Sequence, residues 1–145
     1  MQVRHILQIK GRDIIGIADS ATLSEAAHIL AEQHIGALLI QDTGGALAGI
    51  FSERDLVHAV AEDGPLALSR AIAGYMSRQV TTCRETDTIE DLMEVMTKGR
   101  FRHVPVLDER HRLVGMISIG DVVKTRIAET VSEANSLRDY ISATI

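Results

Sequence analysis

Gly49-Ile50-Phe51-Ser52-Glu53-Arg54-Asp55 comes back at a spacing of 66 as Gly115-Met116-Ile117-Ser118-Ile119-Gly120-Asp121. The shared pattern is Gly, two apolar residues, Ser, two variable residues and Asp. At the same spacing Thr22 falls on Thr88, Leu23 on Ile89, Asp42 on Asp108, Leu47 on Leu113 and Val57 on Val123, without a gap. Where residues differ the apolar character persists, as in Leu38-Leu39-Ile40 against Val104-Pro105-Val106. One register held from Thr22 to Val57 marks an internal repeat.

Each half reads as strand, helix, strand, strand, helix. In the first half Asp13–Ala18 is predicted as a strand, with Ile14 and Ile17 its apolar residues. Thr22 is placed as an N-cap, and Glu25 three residues on completes a capping box. Leu23, Ala26, Ala27, Ile29 and Leu30 follow at helical spacing. Ala37–Ile40 is a continuous apolar strand, Asp42-Thr43-Gly44-Gly45 supplies turn residues, and Leu47–Phe51 is the return strand. Glu53–Ala61 is the second helix. The second half repeats this with Val80–Cys83, a capped helix over Thr88–Lys98 with Asp91 in the box, His103–Leu107, Leu113–Ile117 and a helix from Asp121 onward. Gly64-Pro65 marks the joint, and Ala67–Met76 is predicted to cross it as a short helix.

The expected organisation is repeat 1 over 8–62, a linker over 63–76, repeat 2 over 77–128 and an extended C-terminal helix over 129–145. One half, about sixty residues, is marginal alone. Two β-α-β-β-α repeats packed sheet to sheet about a pseudo-twofold axis give an α/β (α+β) fold. Such a pair has two equivalent clefts, and clefts are the usual ligand sites.

The chain has 145 residues, 46% of them apolar, and a net charge of −5. That charge disfavours nucleic acid, which selects basic surfaces. A single cysteine, Cys83, excludes an internal disulfide and a multi-thiolate metal site. No secretory signal is read at the N-terminus, and no apolar run approaches the ~20 residues of a membrane span. The expectation is a cytoplasmic protein with no membrane partner.

Ser-x-x-Asp at a strand-to-helix junction has two readings. One is a plain capping box, with Ser at the N-cap and the acid at N3. The other is a nucleotide site. A helix N-terminus offers N–H groups and partial positive charge to a phosphate. The Ser hydroxyl can donate to it, and an acid one turn on can accept from both ribose hydroxyls. On this second reading Gly49 and Gly115 let a ligand ring approach the backbone. His5, His28, His34, His58 and His111 show no ligand spacing, Cys83 reads as packing, and no metal site or catalytic constellation is found.

The gapless repeat, the two Gly-to-Asp motifs and Phe101-Arg102-His103-Val104-Pro105-Val106 together resemble the tandem cystathionine-β-synthase (CBS) domain pair, or Bateman module, of the stand-alone bacterial signal-transduction type. The resemblance spans about Asp13 to Val123. It implies a module that binds AMP, ADP, ATP, NAD(H) or S-adenosyl methionine between the repeats and regulates an unknown partner protein, with no chemistry of its own. It implies Asp55 and Asp121 as ribose-binding acids and Ser52 and Ser118 beside the phosphate. Arg102 and His103, before the Val104-Pro105 strand, match basic positions where a phosphate is met, or form a solvated basic edge. Gly16 and Thr82 match positions that read the adenine edge, and Ile14 and Val80 would touch the ring. Ile35-Gly36-Ala37 stands where the second half has Phe101-Arg102-His103, and Arg54 stands where it has Gly120. The two sites therefore need not take the same ligand. Arg54 is either a bidentate phosphate ligand or an exposed helix residue.

Val123, Ile127, Val131, Ala134, Leu137 and Ile141 form an apolar stripe on the last helix. Its cover is either the N-terminal segment, with Val3, Ile6, Leu7 and Ile9, or a second subunit. The resemblance favours a homodimer. A ligand-free dimerisation module, with Ser-x-x-Asp only as caps, is the alternative. Inosine-monophosphate dehydrogenase carries an inserted CBS pair, but this chain is too short to hold a ~250-residue catalytic barrel as well.

Overall fold

The structure, a computed structural model, describes residues 1–144. In chain order the helices are α1 (Val3–Lys10), α2 (Leu23–Gln33), α3 (Glu53–Asp63), α4 (Ile89–Gly99) and α5 (Ile119–Thr144). The strands are β1 (Gly16–Ala18), β2 (Ala37–Gln41), β3 (Leu47–Ser52), β4 (Cys83–Arg84), β5 (His103–Leu107) and β6 (Leu113–Ser118). The chain forms two compact units, one of residues 13–81 and one of residues 1–12 with 82–145.

Each unit has a three-stranded sheet, ordered β1-β2-β3 or β4-β5-β6. The first pair of strands is parallel and the second antiparallel. The 66-residue register holds down to single hydrogen bonds. Asp42 Oδ1 accepts the N–H groups of Gly44 and Ala46, at 2.9 and 3.0 Å, and closes the β2–β3 turn. Asp108 Oδ1 does the same for Arg110 and Arg112 at 2.8 and 2.9 Å. Both hairpins shift register at the same place, Ile40/Gln41 and Val106/Leu107. Both first helices end on a left-handed residue, His34 and Arg100. Thr22 and Thr88 form the expected capping boxes, accepting from Glu25 N–H at 3.2 Å and Asp91 N–H at 3.1 Å.

The first strand of each unit is shorter than the sequence pattern predicts. β1 begins at Gly16 rather than Asp13, because in the Gly16–Leu39 register Asp13 lies before the first residue of β2. β4 is only Cys83–Arg84, not Val80–Cys83. Leu39 donates its N–H to Ile15 carbonyl oxygen at 3.3 Å. Pro105, which stands at the Leu39 position, has no N–H to donate.

Each unit also carries a covering segment. In the first, Pro65–Ser69 and Ile72–Gly74 are separate 3-10 turns. They replace the single helix expected over Ala67–Met76, because Arg70 between them is extended (φ −90°, ψ 156°). Ala67 and Ile72 are fully buried with Leu23, Leu38, Phe51 and Met76. Ile72 N–H donates to Ala21 carbonyl at 2.7 Å, and Arg70 carbonyl accepts from Leu23 N–H at 3.1 Å. In the second unit residues 1–12 take this place. Val3 N–H donates to Asp87 carbonyl at 2.8 Å, and Met1 carbonyl accepts from Ile89 N–H at 3.1 Å. Val3, Ile6 and Leu7 join a core with Ile89, Leu92, Val104, Ile117 and Val122. The N-terminal segment thus closes the sheet core and does not cover the α5 stripe. Val123, Ile127, Val131, Leu137 and Ile141 are exposed, as is Ile9. No described helix is long and apolar enough to cross a membrane.

Leu7 is 1% exposed. Leu7→Ala is expected to destabilise the second unit by about 2–5 kcal/mol, as buried Leu truncations do. Urea unfolding checks this, and a loss under about 1 kcal/mol would show that α1 is not a core element.

Candidate functional site

The backbone brings most of the sequence-predicted residues to one end of each sheet. In the first repeat Ala37 pairs with Ser52 across the hairpin, and Glu53 N–H donates to Gly36 carbonyl at 3.0 Å. The parallel register sets Ile14 level with Ala37, with Gly16 two residues along. Arg54 and Asp55 lie in the first turn of α3 at the same end. In the second repeat His103 pairs with Ser118, and Ile119 N–H donates to Arg102 carbonyl at 2.8 Å. Thr82 immediately precedes β4, Val104 and Pro105 lie in β5, and Asp121 is in the first turn of α5. Val80 belongs to the unit of the first repeat. Ala37, Val104 and Pro105 are buried, while Ile14, Ser52, Asp55, His103, Ser118 and Asp121 are half-buried. Gly16, Arg54, Thr82 and Arg102 are exposed.

The Ser-x-x-Asp motifs are capping boxes in both repeats. Asp55 Oδ2 accepts from Ser52 N–H at 2.8 Å and from Ser52 Oγ–H at 3.1 Å. Ser52 Oγ in turn accepts from Asp55 N–H at 3.3 Å. The second repeat repeats this with 2.9, 3.0 and 3.2 Å between Ser118 and Asp121. The two bonds that each serine donates reach one carboxylate oxygen, Oδ2. Oδ1 of Asp55 and of Asp121 makes no hydrogen bond among the described residues. Each cap thus leaves a fixed carboxylate oxygen with open lone pairs, the acceptor a ribose hydroxyl needs.

Two expectations about this junction are corrected. The helix N-termini offer fewer donors than a free helix end does. The first-turn N–H groups of Glu53 and Asp55, and of Ile119 and Asp121, already have partners outside the helix ladder. The serine proton is also engaged, so donating it to a phosphate requires the hydroxyl to rotate away from the acid. The glycines serve the protein's own packing. A Cβ on Gly49 would stand 2.6 Å from Ser77 carbonyl oxygen and 2.9 Å from Met76 sulfur. One on Gly115 would stand 2.7 Å from Leu7 Cδ2.

Sequence reasoning missed Lys10. Its Nζ lies 2.7 Å from Asp121 Oδ2 and 2.8 Å from Met116 carbonyl oxygen. Partial burial pushes the Asp121 carboxyl up, but the bond from Lys10 and those from Ser118 outweigh it and hold the group below the ordinary carboxylate value. A signal was available. Val3, Ile6, Leu7 and Lys10 occupy one helical face, and a lysine on a buried face calls for an acidic partner. Cys83 is buried, and desolvation followed by the nearby Asp87 charge pushes its thiol up to about 12, so it is inert at neutral pH. Among the described residues no three His, Cys, Asp or Glu side chains gather where a metal could sit.

The family model for the CBS domain matches residues 4–62 and again 71–128, so the chain belongs to the CBS-domain family as a tandem pair. It is 30% identical to a mitochondrial CBS domain-containing protein, CBSX3, of Arabidopsis thaliana, over 96% of this chain and 71% of that one. The crystal structure of a CBS-domain containing protein from Agrobacterium tumefaciens superimposes with a TM-score of 0.84 at 46% identity, covering 86% of this chain and 92% of that one. The CBS domain pair of protein MJ0100, in complex with 5′-methylthioadenosine and S-adenosyl-L-methionine, gives 0.79 at 28% identity, covering 89% and 98%.

The cap has a measurable structural share. Ser52→Ala and Ser118→Ala should each cost about 0.5–2 kcal/mol of stability, the usual loss for an N-cap hydroxyl. Thermal unfolding followed by circular dichroism reads it, and no shift in either variant would contradict the geometry above.

Proposed function

We propose that this CBS-domain pair is a regulatory module that binds adenine nucleosides or nucleotides through Asp55 and Asp121 and relays their presence to a partner protein. The observation that carries the reading is the half-buried aspartate held by its serine in both repeats, with one carboxylate oxygen left for a ribose hydroxyl. The adenosyl ligands of the MJ0100 pair support the adenosine part. For the phosphates of AMP, ATP or NAD(H), Arg54 serves the first repeat and Arg102 with His103 the second. These are the basic groups nearest in sequence to each cap or its paired strand. The ligand is sensed and not turned over.

Wild-type protein is expected to bind AMP, ATP, NAD(H) or S-adenosyl methionine with a micromolar to millimolar Kd in isothermal titration calorimetry. The double variant Asp55→Asn/Asp121→Asn should weaken that binding by about 10–100-fold, the value of hydrogen bonds to a charged acceptor. Its melting temperature controls for folding. Unchanged affinity in the double variant would leave the motifs as caps alone and favour a ligand-free module.

We also propose that the chain forms a homodimer through α5. The observation favouring it is the exposed stripe Val123, Ile127, Val131, Leu137 and Ile141 on a helix about 39 Å long at 1.5 Å per residue. Light scattering after size exclusion should give twice the chain mass, 15.8 kDa. Ile127→Glu should give the chain mass itself, and a dimer untouched by this change would place the interface elsewhere.

A further inference from the structure

We infer that Lys10 competes with the ligand ribose for Asp121, and so makes the second repeat the weaker of the two ribose sites. This rests on the reading of Asp121 as a ribose acid. Asp121 Oδ2 already receives three donors: Ser118 N–H at 2.9 Å, Ser118 Oγ–H at 3.0 Å and Lys10 Nζ at 2.7 Å. A vicinal diol donates most strongly when it can address both carboxylate oxygens. In both repeats the two serine donors already occupy Oδ2. At Asp121 an ammonium is held there as well, so a diol that reaches for Oδ2 must displace a charged donor there and only neutral ones at Asp55.

The ammonium is delivered by packing. Lys10 ends α1, whose Val3, Ile6 and Leu7 are 0%, 3% and 1% exposed. Nζ also satisfies Met116 carbonyl oxygen at 2.8 Å, so leaving Asp121 loosens two bonds. The Lys10 and Asp121 side chains are 35% and 21% exposed, which keeps the pair partly out of solvent screening.

The first repeat solves the same backbone problem without a cation. Ile50 stands at the Met116 position, and its carbonyl accepts from Ser77 N–H at 2.9 Å. Residues 70–76 cover the first repeat as 1–7 cover the second, a spacing of 69, and at that spacing Gln79 corresponds to Lys10. Among the described residues no Lys, Arg or His pairs with Asp55, whose Oδ2 receives only the two Ser52 donors. The two repeats share a cap and differ in whether an internal cation sits on it.

The test isolates the ribose by using adenosine, which has no phosphate for a lysine to attract. In an Asp55→Asn background only the second repeat's acid remains. Isothermal titration calorimetry with adenosine should show about five-fold tighter binding for Lys10→Met than for the Lys10 protein, the value of removing a partly exposed ion pair. Lys10→Gln keeps a donor for Met116 carbonyl while removing the charge, and should bind as tightly as Lys10→Met, whereas Lys10→Arg should restore the weaker value. Equal or weaker adenosine binding in folded Lys10→Gln overturns the inference and leaves the site reading standing. If Asp121→Asn in the same background binds adenosine as well as Asp121 does, the site reading itself fails, and the inference with it.

Discussion

The fold depends on how each three-stranded sheet is covered over the glycine of its last strand, Gly49 or Gly115. Two helices do not close either core. The missing piece is a short segment that hydrogen-bonds ahead of the repeat's first long helix, through Ile72 and Arg70 in one unit and Val3 and Met1 in the other. The cover arrives so close that a side chain on Gly49 would strike the Ser77 backbone, and one on Gly115 would displace the Leu7 side chain. The second unit is therefore closed by residues more than seventy positions away in the chain, a contact of high loop-closure entropy that has to be repaid by burial. Full burial of Val3 and Leu7 supplies it. Because the cover of the second unit is a continuous helix, it carries its face one turn further, and that turn ends in Lys10 beside Asp121.

At the strand-to-helix junction, the cap engages one carboxylate oxygen and leaves open the other, the one the proposed ribose contact would use. The serine N–H and hydroxyl both converge on Oδ2, which fixes the carboxylate plane and closes the helix start. Oδ1 is left in a defined place. The capping reading and the ligand reading of Ser-x-x-Asp are thus compatible, since a cap that uses one oxygen pre-organises the other. A loop aspartate would have to lose rotamer freedom on meeting a ribose; these two have lost it already in folding.

Much of this was legible in the sequence. The 66-residue register placed both hairpins and all four capped helix starts, because the residues that enforce them have local mechanisms: Asp42 and Asp108 in the turns, Thr22, Thr88, Ser52 and Ser118 at the caps. The shortened β4 was legible in principle through Pro105, whose missing N–H breaks the parallel ladder. What the 66-residue register concealed was the cover. It repeats at 69, not 66, and across two apolar spacings only, Val3 to Leu7 against Ile72 to Met76. A pattern that short carries little information, and nothing local tells a segment which repeat it will close. The glycines follow from the same cover: their backbone is closely approached, and the approaching group is the protein's own.

Where the repeats diverge, they do so at positions the backbone leaves unconstrained. The glycine, the serine and the aspartate are fixed by cover and cap. The residues beside them are not: in the 66-residue register Arg54 corresponds to Gly120, and Gly36-Ala37 to Arg102-His103. Cations have accordingly settled on different sides of an otherwise equal junction, on the helix in the first repeat and on the strand and the covering helix in the second. The last of these is different in kind. Arg54 and Arg102 are exposed groups whose neighbouring carboxylate cap is intact without them. Lys10 is bonded to the cap itself, from the same helix whose Leu7 lies in the core.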